Sequence, residues 1–266
     1  MLERKRLDNN PIVYYSNGNK NAAWILFFHA AFLDHSIYKG QFKHFQDHYN
    51  ILAIDLLGHG ASKPQSRHDH FMQTPDWINA ILDHENIEKV HLVGISLGAV
   101  VAQLFADQFP NRVQSLACFG AQNIHNFNPK GHGKMIFSNL ILGLKGLISI
   151  KWFANASKSL AAISPEGQAA YVEVARLQSR KPFLMFLQAS KPLPKAPDRP
   201  RDYPLLIGRG EHDALMPASA LDSWQQDEPF TQSITFSNAG HLANLDAPEW
   251  FNQVLENFWS KSKGES

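Results

Sequence analysis

The sequence predicts an α/β fold, with a mostly parallel, doubly wound sheet, helices on both faces and one helical insertion. Three observations carry that prediction. Short uninterrupted apolar runs recur along the 266 residues, as strands buried on both faces require. Amphipathic helical patterns lie between them, and strand–helix alternation implies parallel pairing through crossovers. The stretch from about residue 122 to 201 breaks the alternation, because it has helical apolar periodicity, no strand-like run, and a proline-stiffened end at Lys191-Pro192-Leu193-Pro194-Lys195-Ala196-Pro197-Asp198-Arg199-Pro200. Residues 1–121 and 202–266 are therefore expected to form one core, and 122–201 a helical cap inserted into it.

The elements follow in order. Ala22-Ala23-Trp24-Ile25-Leu26-Phe27-Phe28, Ile51-Leu52-Ala53-Ile54 and Val90-His91-Leu92-Val93-Gly94-Ile95 read as the first three strands. Thr74-Pro75-Asp76 reads as a capping hydroxyl, a proline at the first helical position and an acid in the first turn, opening a helix to about Ile87. After Ser96, the residues Leu97, Val100, Val101, Leu104 and Phe105 make one apolar helix face. Further strands are expected at Val113–Phe119, at Tyr203–Ile207 and at Thr231–Phe236. A last helix should start near Asp246, with Pro248 in its first turn, and bury Trp250, Phe251, Val254, Leu255 and Phe258.

Composition narrows the function. The formal net charge is +1, which supplies no basic excess for neutralising phosphates, so nucleic acid is not an expected partner. At 44% hydrophobic and 18% charged residues, the chain lies far from disorder-prone compositions. The single cysteine, Cys118, excludes an intrachain disulfide and permits a reducing compartment. No signal-peptide h-region follows the charged N-terminus. The greasiest stretch, Met135 to Phe153, is interrupted by Lys145, Lys151, Gly143 and Gly146, too often for a membrane span. These features predict a cytoplasmic protein without an integral membrane segment; they do not set an oligomeric state.

Gly94-Ile95-Ser96-Leu97-Gly98 matches G-x-S-x-G at the junction of an apolar strand and an amphipathic helix. The glycines allow a sharp turn that presents Ser96 Oγ at the carboxyl edge of the sheet. A serine nucleophile needs a base, and the base needs an orienting acid. Gly208-Arg209-Gly210-Glu211-His212-Asp213 follows one later strand, with Asp213 the preferred acid and Glu211 the alternative. Asn238-Ala239-Gly240-His241 follows the next, and His241 is the one histidine downstream of both acids.

These motifs resemble those of the α/β-hydrolase superfamily, in particular its carboxylesterase- and lactonase-like members with a helical cap. The resemblance runs from about residue 11 to the last helix. Asp55-Leu56-Leu57-Gly58-His59-Gly60-Ala61-Ser62 is similar to the family's D-x-x-G-x-G-x-S turn. His29-Ala30-Ala31-Phe32 resembles the H-G-x-x oxyanion segment, with Ala30 standing where the family usually has glycine. If that position needs positive φ, alanine strains it. The resemblance implies an oxyanion hole from the Ala31 and Leu97 N–H groups, structural rather than catalytic roles for His29 and His59, and a cap over the active site.

The expected chemistry is hydrolysis of a small, mainly apolar carboxylic ester or lactone through an acyl-enzyme on Ser96, with no metal or organic cofactor. Its pocket would draw on apolar cap residues such as Phe137, Leu144, Trp152, Phe153, Phe183 and Leu187. Arg176, Arg180, Lys181 and Lys191 read as solvated charges rather than as a carboxylate site. The alternatives are a carbon–carbon bond hydrolase or lyase using the same triad, and a ligand-binding receptor with residual hydrolysis. A serine at position 96 excludes haloalkane dehalogenation by the family's usual carboxylate route. His44-x-x-x-His48 has metal-pair spacing, but Phe45 replaces the glutamate of H-E-x-x-H. That pair and His68-Asp69-His70 read as polar surface.

Overall fold

The computed structural model describes residues 2–18, 21–126, 148–180 and 201–262. Eight strands form one sheet in the order β1-β2-β4-β3-β5-β6-β7-β8. They are β1 (Glu3–Arg6), β2 (Val13–Ser16), β3 (Trp24–Phe28), β4 (Asn50–Ile54), β5 (Val90–Ile95), β6 (Val113–Phe119), β7 (Leu205–Gly210) and β8 (Gln232–Phe236). From β4 through β8 all pairings are parallel; β2 pairs antiparallel with both β1 and β4. The sequence pattern gave no sign of β1 or β2.

Helices α1 (Lys39–Phe45), α2 (Thr74–His84) and α3 (Leu97–Gln108) precede β6; α4 (Ile150–Ala161) and α5 (Pro165–Ala175) lie between β6 and β7. α6 (Ala218–Asp227), α7 (Ala243–Asp246) and α8 (Pro248–Ser262) complete the chain. Alternate residues of the central strands enter opposite cores. Leu26, Phe28, Leu52 and Leu92 pack with Ile78 and Ile81 of α2 and Val101 and Phe105 of α3. Ile25, Phe27, Ile51 and Val93 pack with Phe45 of α1 and Phe251, Leu255 and Trp259 of α8. Each such buried side chain contributes about 1.5–3 kcal/mol, so a one-residue register slip would exchange two well-filled cores for a mismatch.

Three local readings need correction. Thr74 is the first residue of α2 and not its cap: its hydroxyl donates to Phe71 O at 2.6 Å, and the helix ends at His84, where Asn86 turns to φ 56°. β7 runs three residues past Ile207, so the acid loop begins only at Glu211. The last helical region is two pieces, α7 and α8, broken at Ala247 (φ −137°) directly before Pro248, as the restriction on a residue preceding proline demands. Phe251, Leu255 and Phe258 are buried as the pattern implied, together with Trp259, whereas Trp250 and Val254 are only partly covered.

Phe137, Leu144, Phe183, Leu187, Lys181, Lys191 and the proline-rich return lie outside the described residues. Among the described residues no helix is long and apolar enough to cross a membrane.

Candidate active site

Ser96 stands between the last residue of β5 and the first of α3, with φ 55° and ψ −120°. A left-handed serine costs energy that only a crowded surrounding sustains. Its N–H donates to Phe119 O at 2.8 Å, carrying the hydrogen-bond ladder with β6 one residue past Ile95. Gly98 supplies the crowding: a Cβ there would overlap Phe28 O and stand 2.6 Å from His29 O. Only glycine lets the start of α3 close on the exit of β3. That contact brings the serine turn and the His29–Phe32 segment together. Leu97 opens α3, where a helix N–H has no intrahelical acceptor, so its amide is available to an oxyanion.

The structure brings Asp213, rather than Glu211, to His241. His241 Nδ1 lies 3.0 and 2.9 Å from the two oxygens of Asp213, and both side chains are buried. Burial alone would raise the Asp213 pKa. The neighbouring His241 and the N–H groups of Leu215 and Met216, at 2.8 and 2.9 Å, outweigh it and hold the carboxyl below its usual range. An ionised Asp213 selects the His241 tautomer with its proton on Nδ1, which leaves Nε2 as the basic nitrogen. Glu211 accepts the Asn238 N–H at 3.1 Å and closes the neighbouring loop. Behind the imidazole stands Gly120, at φ 57°, where a Cβ would meet Cε1 at 2.9 Å. Gly120 directly follows the carbonyl that receives the Ser96 amide, so Ser96 and His241 share one support.

In the His29–Phe32 segment the positive φ falls on Phe32, at 65°, and not on Ala30. The strain expected at Ala30 is therefore absent; its methyl group is buried in the core. Phe32 is covered edge-on by Phe153 of α4, with ring centroids 4.9 Å apart. Beyond it, Asp34 Oδ1 accepts the Ser36 N–H at 2.9 Å, and Gln178 Nε2 donates to Asp34 Oδ2 at 3.0 Å. Gln178 Oε1 in turn accepts the Gly60 N–H at 3.0 Å, so one side chain just beyond α5 joins the oxyanion segment to the Asp55–Ser62 turn.

That turn is organised by Asp55. Its carboxylate receives the His35 Nδ1–H at 2.8 Å, the Ala61 N–H at 2.8 Å and the Tyr15 hydroxyl at 3.2 Å. Burial pushes its pKa up, but His35 and these donors win, and it too lies below the usual carboxylate range. Asp34, His35 and Asp55 hold metal-type donor atoms within 4.8 Å of one another. Those atoms already serve as hydrogen-bond partners of the two loops, so the cluster reads as a loop fastener. His29 is fully buried: Nδ1–H donates to Ala30 O at 2.8 Å and Nε2 accepts the Leu56 N–H at 2.9 Å. Burial lowers its pKa, and that of His59 is pushed down to about 3. Both stay neutral and outside the proton chemistry. His44 pairs with Glu256 at 2.8 Å on the surface, and Asp69 accepts backbone N–H groups of Gln65 and Ser66.

Sequence reasoning missed Gly120, Phe32 and Gln178; Phe153, expected among the apolar cap residues, lies against Phe32. A glycine at the end of the Val113–Phe119 strand was the one available signal. The others matter through contacts between segments far apart in the chain.

A family model described as alpha/beta hydrolase fold matches residues 23–248. The protein named uncharacterized carboxylesterase nap, of Bacillus subtilis (strain 168), is 24% identical, over 94% of this chain and 84% of its own. The 3-oxoadipate enol-lactonase 2 of Acinetobacter baylyi is 23% identical over 91% of each. A solved thermophilic esterase from Thermogutta terrifontis superposes with a TM-score of 0.81 at 18% identity, covering 98% of this chain and 99% of that one. With the serine turn, the acid–base pair and the sheet order in place, the chain belongs to the alpha/beta hydrolase fold family.

Proposed function

We propose that this protein is a serine hydrolase that cleaves a small, mainly apolar carboxylic ester or lactone through an acyl-enzyme on Ser96. One observation carries the reading: the buried Asp213–His241 pair stands over Gly120, the residue next to the carbonyl that anchors the strained Ser96 turn. Carboxylesterase and enol-lactonase names among the relatives support the substrate class.

His241 Nε2 takes the Ser96 proton as Oγ attacks the carbonyl carbon, and Asp213 stabilises the resulting imidazolium. The Ala31 and Leu97 N–H groups receive the developing oxyanion, each contributing about 2.7–4 kcal/mol to the transition state. The imidazolium protonates the leaving alkoxide. Water, deprotonated by the same nitrogen, then attacks the acyl-enzyme and frees the acid. Residues 122–201 form the cap over this site, with Phe153 above Phe32 as one apolar wall.

The test is hydrolysis of p-nitrophenyl esters from acetate to decanoate by the wild type and by Ser96→Ala. The expected result is turnover by the wild type, with an optimum at short or medium chain length, that disappears in the variant. Equal turnover in both would remove Ser96 from the chemistry. No turnover of any ester by folded wild type would favour carbon–carbon bond cleavage or a receptor.

A further inference from the structure

We propose that Asp246 is a positioning residue for the catalytic base, and that it acts by fastening the loop bearing His241 to the turn between α4 and α5. The inference rests on the reading of Ser96, Asp213 and His241 given above. His241 lies on an irregular connection between β8 and α7, where no ladder of regular hydrogen bonds fixes the backbone. Its position depends on a few individual contacts. The Gly240 N–H, immediately before it, donates to Asp246 Oδ2 at 2.8 Å. The Leu242 N–H, immediately after it, donates to Ala161 O at the end of α4, also at 2.8 Å. The base is thus flanked by two amides that both lead to the α4–α5 turn, one directly and one through Asp246.

Asp246 completes the link from the other side. Its Oδ1 accepts the Ser164 N–H at 2.8 Å and the Ser164 hydroxyl at 2.6 Å, and the Ile163 N–H lies 3.2 and 3.0 Å from its two oxygens. Among the described residues its partners are all donors, and no cation pairs with it. A carboxylate is acceptor-only and can serve donors on both flanks at once. A carboxamide of the same shape cannot, because its NH2 must face either the Gly240 N–H or the α4–α5 turn. With one flank released, the His241 ring keeps its Asp213 bond but loses its register against Ser96.

The decisive variant is Asp246→Asn, which preserves size and helix position. Misplacing a catalytic group by about 1 Å can cost about 100-fold in rate, and a fall of that order is expected in kcat for p-nitrophenyl acetate, with KM little changed. Labelling of Ser96 by a fluorophosphonate should slow in parallel, and the downfield proton resonance shared by His241 and Asp213 should broaden or shift. A merely structural role would instead lower the melting temperature and leave kcat, labelling and the resonance at their wild-type values well below it. That result would overturn the proposal. Should Asp246→Asn fail to fold, Ser164→Ala carries the same test, with a smaller fall in the same quantities expected and wild-type kcat contradicting it. Ser96→Ala run alongside separates the two claims. If it retains activity, the triad reading fails; if it is inactive while Asp246→Asn turns over like wild type, only the positioning role fails.

Discussion

Ser96 and His241 both lie at the carboxyl end of the sheet, beside Phe119 and Gly120, yet they are held in different ways. Among the described residues, Ser96 is held by the core: its amide bonds to β6, and Gly98 locks the following helix against the exit of β3. His241 is held by the core at its ring, through Asp213 and Gly120, but its backbone is flanked by bonds that reach α4 and the α4–α5 turn. Ser96 therefore has the rigidity of a packed interior, in which backbone overlaps leave no alternative. The backbone around His241 is held instead by contacts to α4 and the α4–α5 turn. Phe153 of α4 and Gln178, just beyond α5, likewise reach Phe32 and Asp34 in the segment after β3. Contacts from α4 and the α4–α5 turn thus reach both the His241 loop and the segment after β3.

Substitutions can break this contrast from either side. The largest effect should come from Asp213→Asn, which leaves the shape intact but permits the wrong imidazole tautomer; a fall in kcat of about 10⁴-fold is expected by steady-state kinetics. Asp227→Asn is the matched control, because among the described residues Asp227 bonds Asn126 and Asn123, away from His241. Equal effects would mean that the acid is wrongly assigned. On the nucleophile side, Gly98→Ala pushes a methyl group into backbone that cannot yield. A loss of about 3 kcal/mol or more is expected in urea denaturation, with no rescue by changes in the cap.

The outcome at Ala30 shows where the sequence was legible and where it was not. β3, β4 and β5 were readable because a strand covered on both faces must be a largely continuous apolar run, whereas β8 is exposed over most of its length. β1 was not readable: it is Glu3-Arg4-Lys5-Arg6, and charge suits an edge strand that must discourage further pairing. The short β2, Val13-Tyr14-Tyr15-Ser16, offered too few residues for a periodic signal. Ser96 and His241 were legible because their neighbours in sequence are the turn chemistry they need, and Asp213 was legible from chain order. The motif also pointed to Ala30 as the strained position, whereas the chain places its left-handed residue two positions later, under an aromatic ring from a distant helix. Asp246 and Gln178 carry no local signature, since each acquires its role only where several segments converge.

Smaller effects sharpen the picture. Asp55 lies below its usual pKa, so the stability it contributes is fully present above the unfolded value near pH 4 and is lost as pH falls through the lower folded value. Urea unfolding between about pH 5 and about pH 3 should therefore show a falling stability that is flatter in Asp55→Asn. Ala30→Gly should be the mildest change. With no positive φ to relieve, it adds backbone entropy and removes one buried methyl group, together about 1–2 kcal/mol in stability, and leaves kcat unchanged. A large loss of activity in folded protein would contradict the placement of the oxyanion segment.

The central claim is that Ser96 is a nucleophile activated by His241 and Asp213, and covalent labelling tests it most directly. Folded protein is treated with a fluorophosphonate, and the adduct is located by mass spectrometry of the intact chain and its peptides. The account predicts a single adduct, on Ser96, that is absent from heat-denatured protein and strongly slowed in Asp213→Asn. No adduct on the folded chain, or an adduct on another residue, would contradict it.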